Sequence, residues 1–112
     1  MTNYEESILD FQKAEELGSK NPGIYNGIGM AYKHLGNFEK ALYYLNMALE
    51  LSPNNHEFLL QRSFLYLELK EYDKTINDLS KSLEKKPSDP FIYYRRGVAF
   101  YLSKNFKKAL KN

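Results

Sequence analysis

Along the chain, apolar and small residues return at the three- and four-residue spacing of a helix face. Tyr25, Ile28, Gly29 and Tyr32 form one such run, and Ala41, Leu45 and Ala48 the next. The set recurs as Leu59, Ser63 and Tyr66 with Thr75, Leu79 and Ser82, and again as Tyr93, Gly97 and Phe100. Residues at i, i+3, i+4 and i+7 share one side of an α-helix. The pattern therefore predicts helices over 3–18, 22–35, 38–51, 56–69, 72–86 and 90–103, with a further stub from 106. Helix ends are marked as well. Asn21-Pro22 and Asp89-Pro90 pair a capping residue with proline at the first helical position, where its missing N–H costs nothing. Gly36-Asn37, after Leu35, can take positive φ and reverse the chain. Lys70-Glu71 and Lys104-Asn105 stand at the same place with weaker stop chemistry, so looser turns are expected there.

These runs have a period of 34 residues. Asn21, Asn55 and Asp89 stand at that spacing, as do Tyr32, Tyr66 and Phe100, then Phe38, Tyr72 and Phe106, then Pro53 and Pro87. The period and the residue types resemble the tetratricopeptide repeat, W-x2-L-G-x2-Y…A-x3-F…P, a helix–turn–helix unit that stacks on its neighbours. The resemblance covers essentially the whole chain. It implies an all-α fold, a right-handed superhelical solenoid of antiparallel helix pairs. Residues 1–112 are then one domain, with whole repeats at 22–55 and 56–89 and an incomplete repeat at 90–112. Residues 3–20 read as the second helix of a preceding repeat, because Tyr4, Ser7, Ile8, Phe11 and Ala14 fall in phase with Phe38, Ala41, Leu42, Leu45 and Ala48. Small residues at Gly29, Ser63 and Gly97, and at Ala41, Thr75 and Ala109, are expected to let helices approach closely, with large neighbours filling the space beside them. Repeat arrays normally end in a polar capping helix. Phe106 and Leu110 would have little to pack on, so a fragment of a longer array is expected, or a chain that completes itself by self-association.

Composition narrows the function. Hydrophobic residues at 43% and aromatics at 15% suffice for a core. No apolar run reaches the 18 or more residues of a membrane span, and Met1 to Asp10 lacks the basic-then-apolar order of a signal peptide. The absence of cysteine excludes disulfides, thiolate metal sites and cysteine nucleophiles. A cytoplasmic setting is expected, with a nuclear one as the alternative. The net charge of +2 hides an asymmetry. Residues 1–21 set Lys13 and Lys20 against Glu5, Glu6, Asp10, Glu15 and Glu16, for −3. Residues 90–112 carry Arg95, Arg96, Lys104, Lys107, Lys108 and Lys111 with no acid, for +6. Solvated helix faces account for this; so would a nucleic-acid surface, or two terminal faces that attract one another.

No catalytic constellation emerges. His34 and His56 are far from the i, i+4 spacing of a helical metal pair and are expected to face solvent. Glu5–Glu6 and Glu15–Glu16 are adjacent and point in different directions. Gly23, Gly27 and Gly29 lie within a helix with no preceding strand, so they cannot form a dinucleotide loop. The reading is a chain that is not an enzyme and needs neither cofactor nor metal. Arg62 and Arg96 stand where the repeat pattern prefers Leu. Each is expected to lay its stem along its neighbours while the guanidinium finds an acceptor.

The resemblance also implies where binding occurs, because first helices of successive repeats line the concave groove in this family. Carried over by position, the groove residues are Asn26, Met30 and Lys33 in one repeat, with Gly23 and Gly27 beside them. Leu60, Gln61, Phe64 and Leu67 follow in the next, with Glu57, and then Phe91, Tyr94, Arg95, Val98 and Tyr101. A two-carboxylate clamp for chaperone C-termini, one known use of the fold, would want Lys and Asn at Asn26 and Met30, Asn at Gln61, and Lys and Arg at Phe91 and Arg95. Only Arg95 matches outright. What remains is an apolar, aromatic groove. It suits a protein-interaction module or scaffold that takes a peptide or helix of another protein. Self-association through the terminal repeats and RNA binding through the basic end are the alternatives, with nucleic acid ranked last.

Overall fold

The computed structural model describes residues 2–111, with side chains as far as Asn105 and at Lys107. Six helices follow one another: α1 (Asn3–Glu16), α2 (Pro22–His34), α3 (Phe38–Leu51), α4 (His56–Glu68), α5 (Tyr72–Lys85) and α6 (Pro90–Lys111). There is no strand among the described residues. The chain divides into two compact units after Phe58.

In the first unit, side-chain caps set where the helices start. Thr2 and Glu5 form a reciprocal capping box on α1. Asn21 Oδ1 accepts from Gly23 N–H at 2.8 Å, and Asn37 Oδ1 accepts from Lys40 N–H at 3.1 Å. Each satisfies a donor that the first helical turn leaves orphaned. Gly36, at φ +82°, ends α2 and permits the reversal into α3. A similar stop at Gly18, φ +101°, ends α1 two residues earlier than the pattern predicts. Ile8, Ile24, Ile28 and Ala31 form a core between α1 and α2, with Phe11, Ala14, Tyr32 and Tyr44 packed against it. A buried residue of the size of Ile28 contributes about 1.5–3 kcal/mol. The expected close approach is present. A Cβ built on Gly29 would lie 3.0 Å from the Ala41 carbonyl oxygen and 3.3 Å from Leu45, and Ala41, Leu45 and Ala48 are fully buried.

The second unit uses more polar material. Leu79, Leu83 and Ile92 make a core cluster, with Leu60 packed on it. Ser63, Thr75 and Ser82 fill the small positions and are buried. Their hydroxyls need partners; Ser63 donates to the Leu60 carbonyl at 2.6 Å and Thr75 to the Glu71 carbonyl at 3.0 Å. Asp78, 1% exposed, receives Nε and Nη2 of Arg62 at 2.8 and 2.7 Å. The arginine thus finds the acceptor its position called for, and Arg96 donates to Ser80 Oγ at 3.1 Å. Lys70 makes the turn before α5 with φ +62°, a left-handed conformation that a side chain resists. Glu71 gives α5 no side-chain cap.

One predicted boundary is wrong. A turn at Lys104-Asn105 would separate a helix over 90–103 from a stub at 106, but α6 runs unbroken from Pro90 to Lys111. Gly36 and Lys70 both take positive φ at this repeat position, whereas Lys104 stays helical. Neither Lys nor Asn here stops a helix by itself, and continuing adds a backbone hydrogen bond per residue. The expected packing of Phe106, Ala109 and Leu110 lies outside the described side chains.

Candidate binding faces

At about 100° per residue, α6 presents three sides. Ile92, Ala99 and Ser103 are buried. On one flank lie Phe91, Tyr94, Val98 and Tyr101; Phe91, Tyr94 and Tyr101 are 55%, 70% and 67% exposed, and Val98 is half-buried. Arg95 stands at the inner edge of that flank. Its guanidinium carbon lies 5.4 Å from the centre of the Phe64 ring and 5.5 Å from that of Phe91, within cation–π range. Burial lowers its pKa from the ordinary arginine value, although the group stays charged at any physiological pH. Among the described residues no carboxylate pairs with it. Phe64, Gln61 and Leu67 on α4 are half-buried, and Leu60 spends its side chain on the core beneath.

The first unit's share of the predicted groove is less exposed. Asn26, Met30 and Lys33 on α2 are all half-buried. Asn26 Oδ1 is buried and accepts no hydrogen bond. Gly27 has no room for a side chain, because the Phe11 ring lies 2.4 Å from where its Cβ would be. Its role is to seat α1 on α2 rather than to line a groove.

The other flank of α6 was not predicted as a surface. Tyr93 and Phe100 are 49% and 54% exposed, and Gly97 between them has nothing within 4 Å of a built Cβ. Sequence reasoning expected a helix against Gly97, as at Gly29; the unbroken α6 leaves that side open. Tyr93 is held in place by its hydroxyl, which donates to the Pro87 carbonyl at 3.0 Å, and by Arg96 over its ring.

Of the two histidines, His34 is exposed and stacks on Tyr4 at 4.8 Å, while His56 is half-buried rather than solvent-facing. No group of three or more His, Cys, Asp or Glu among the described residues could hold a metal ion. No helix among them is long and apolar enough to cross a membrane.

A family model of the tetratricopeptide repeat matches residues 22–55. The fold agrees over nearly the whole chain: the MamA RS-1 ArsTM double mutant superposes with a TM-score of 0.84 over 96% of this chain, at 21% identity. Residues 22–55 are a tetratricopeptide repeat. Its fold is an all-α, tetratricopeptide-like solenoid. A tetratricopeptide repeat protein from Parabacteroides merdae ATCC 43184 is 26% identical, with a TM-score of 0.82 over 93% of this chain and 41% of its own. The first repeat domain of Spaghetti (RPAP3), solved bound to an HSP90 peptide, is 22% identical, with a TM-score of 0.73 over 97% of this chain and 81% of its own. The chain spans 61% of the MamA double mutant. No curated protein matches it in sequence.

Proposed function

We propose that these tetratricopeptide repeats form a non-catalytic protein-interaction module, whose groove-facing helix sides hold a peptide or helix of a partner protein. The reading rests on one observation: an aromatic flank of Phe91, Tyr94 and Tyr101 left in solvent beside Arg95, a half-buried cation with no acid of its own among the described residues. Exposed apolar patches mark interaction surfaces, and Tyr and Arg are favoured at binding hot spots. The partner chemistry that fits is an apolar or aromatic side chain next to a carboxylate. The carboxylate would complete Arg95 and the ring would cover Tyr94. Gln61, Phe64 and Leu67 on α4 belong with this surface by repeat position, and Asn26, Met30 and Lys33 are the equivalent positions on α2 of the first unit. The peptide bound by the Spaghetti domain supports a peptide partner for a similar fold.

The test is selection from a random peptide display library, followed by titration of the selected peptides. Tyr94→Ala and Arg95→Ala should each weaken binding about tenfold or more, about 1.4 kcal/mol, with unchanged far-UV circular dichroism. Peptides that bind both variants as well as the parent would refute the assignment.

A further inference from the structure

Between α1 and α2 of the first unit lies a cleft of about 600 Å³ that the groove does not use. Glu5, Ile8, Leu9 and Gln12 form one wall, and Tyr32 and Leu35, at the end of α2, form the other. The α1 residues fall at i, i+3, i+4 and i+7, so they share one helix side. Ile8 turns into the core with Ile24 and Ile28. Next to Glu5 and Leu35 in the chain, the Tyr4 and His34 rings stack at 4.8 Å. Both walls are thus fixed before anything binds, which spares an occupant the cost of ordering them. Tyr32 and Leu35 lie roughly 160° around α2 from Asn26, Met30 and Lys33 at 100° per residue, so the cleft and the groove are different surfaces.

The cleft is a property of the repeat. In the next hairpin α3 turns Ala41 to Gly29 of α2, and the positions one period before Ala41 and Ala48 are Ser7 and Ala14. A helix that met α1 as α2 meets α3 would lie against Ser7 and Ala14. That side is roughly 180° around from Glu5, Leu9 and Gln12, so the cleft would stay open. Leu9 is 51% exposed, and Tyr43, one period on, is 62% exposed although helices precede and follow α3. Charge and spacing define what fits. Helix α1 carries Glu5, Glu6, Asp10, Glu15 and Glu16 against Lys13. Glu5 accepts the Thr2 N–H at 2.8 Å through one oxygen and forms no ion pair among the described residues. A phosphate backbone or an anionic membrane is repelled here, and a lysine or arginine is attracted. Glu5 and Leu9 are one helical turn apart, roughly 6 Å along the axis, which is the separation of a basic and an apolar residue at i and i+4 of a partner helix.

We propose that this cleft docks a basic amphipathic helix of another protein, with an aliphatic or aromatic side chain inserted between Leu9 and Leu35 and a lysine or arginine one turn away on Glu5. Gln12, at the other end of the α1 wall, offers a donor and an acceptor to the polar edge of that helix. The site is independent of Tyr94 and Arg95, so either reading can fail without the other.

The test uses the full chain carrying Tyr94→Ala and Arg95→Ala, which disables the groove and leaves the cleft intact. Peptides selected on it from a random display library should carry a leucine, isoleucine or phenylalanine three or four positions from a lysine or arginine. They should bind the parent chain equally well. Leu9→Ala, which keeps a strong helix former at an exposed position, should weaken them about tenfold with unchanged far-UV circular dichroism. Glu5→Gln preserves the capping box, since glutamine serves there too. It should weaken binding about two- to fivefold, and the difference from the parent should shrink as salt rises. A library that yields no binder overturns the proposal, as do selected peptides that are acidic or that bind the Leu9→Ala chain undiminished. So does self-association of the parent that Leu9→Ala abolishes in sedimentation velocity, which would seat a second copy in the cleft.

Discussion

The hairpins α2–α3 and α4–α5 occupy the same repeat positions and are closed by opposite means. Where the first has Ile28 and Tyr44, the second has Arg62 and Asp78. Ile28 is fully buried in an apolar cluster that Tyr44 covers. Arg62 and Asp78 instead form a two-pronged ion pair, with the carboxylate 1% exposed. The small positions differ the same way: Gly29, Ala41 and Ala48 against Ser63, Thr75 and Ser82. So do the turns, with Gly36 at φ +82° and Lys70 at φ +62°. The repeat pattern specifies sizes and spacings at these places, and polarity is free provided that every buried polar group finds its partner. The apolar hairpin tolerates error gradually; the polar one fails abruptly when a partner is lost.

The largest test of that contrast is Asp78→Ala. It removes the carboxylate opposite a guanidinium that is 19% exposed, at a cost of about 3–5 kcal/mol. The double replacement Arg62→Ile with Asp78→Tyr copies the first hairpin and should recover most of the loss. Urea unfolding followed by circular dichroism measures both, and a single-variant loss below about 1 kcal/mol would mean the pair is dispensable.

Next is a contrast between two glycines at one repeat position. Gly29→Val forces a side chain against the Ala41 carbonyl and should destabilise by about 1–3 kcal/mol. Gly97→Ala meets nothing and should stabilise by about 0.5–1 kcal/mol, because glycine is a poor helix former. Equal signs for the two would contradict the open flank on α6.

The smallest effect concerns the turns. Lys70→Gly relieves a left-handed lysine, strained by about 1–2 kcal/mol, but adds freedom to the unfolded chain. A net gain of up to about 1 kcal/mol should appear as a higher urea midpoint. A lower midpoint would show that the lysine side chain does more at that turn than reverse the chain.

Most of the helical framework was legible in advance because it depends on spacing and end signals. The α3 boundaries, Phe38 and Leu51, agree with the pattern to the residue, and α4 and α5 end one residue short of it. What escaped was decided by competition between local and tertiary terms. Lys104-Asn105 holds no strong stop, so whether α6 breaks there turns on what is available to pack against, which periodicity does not reveal. Asp78 reads as one more polar residue on an amphipathic helix until Arg62, sixteen positions earlier, is brought beside it. The aromatic side of α6 could be drawn from the i, i+3, i+7 spacing of Phe91, Tyr94 and Val98. That Arg95 lies over the rings of Phe64 and Phe91 depends on the approach of two helices and has no signature in either.

The ring pairs of the first unit have an optical consequence. Tyr32 and Tyr44 stack at 5.8 Å and bind α2 to α3, and Tyr43 meets Tyr44 edge-on at 5.2 Å. Phenol chromophores this close, fixed at set angles, couple into circular-dichroism bands near 280 nm that vanish when packing loosens. The chain has no tryptophan to mask them. The protein therefore carries an intrinsic gauge of one hairpin's tertiary order, readable in solution without any label.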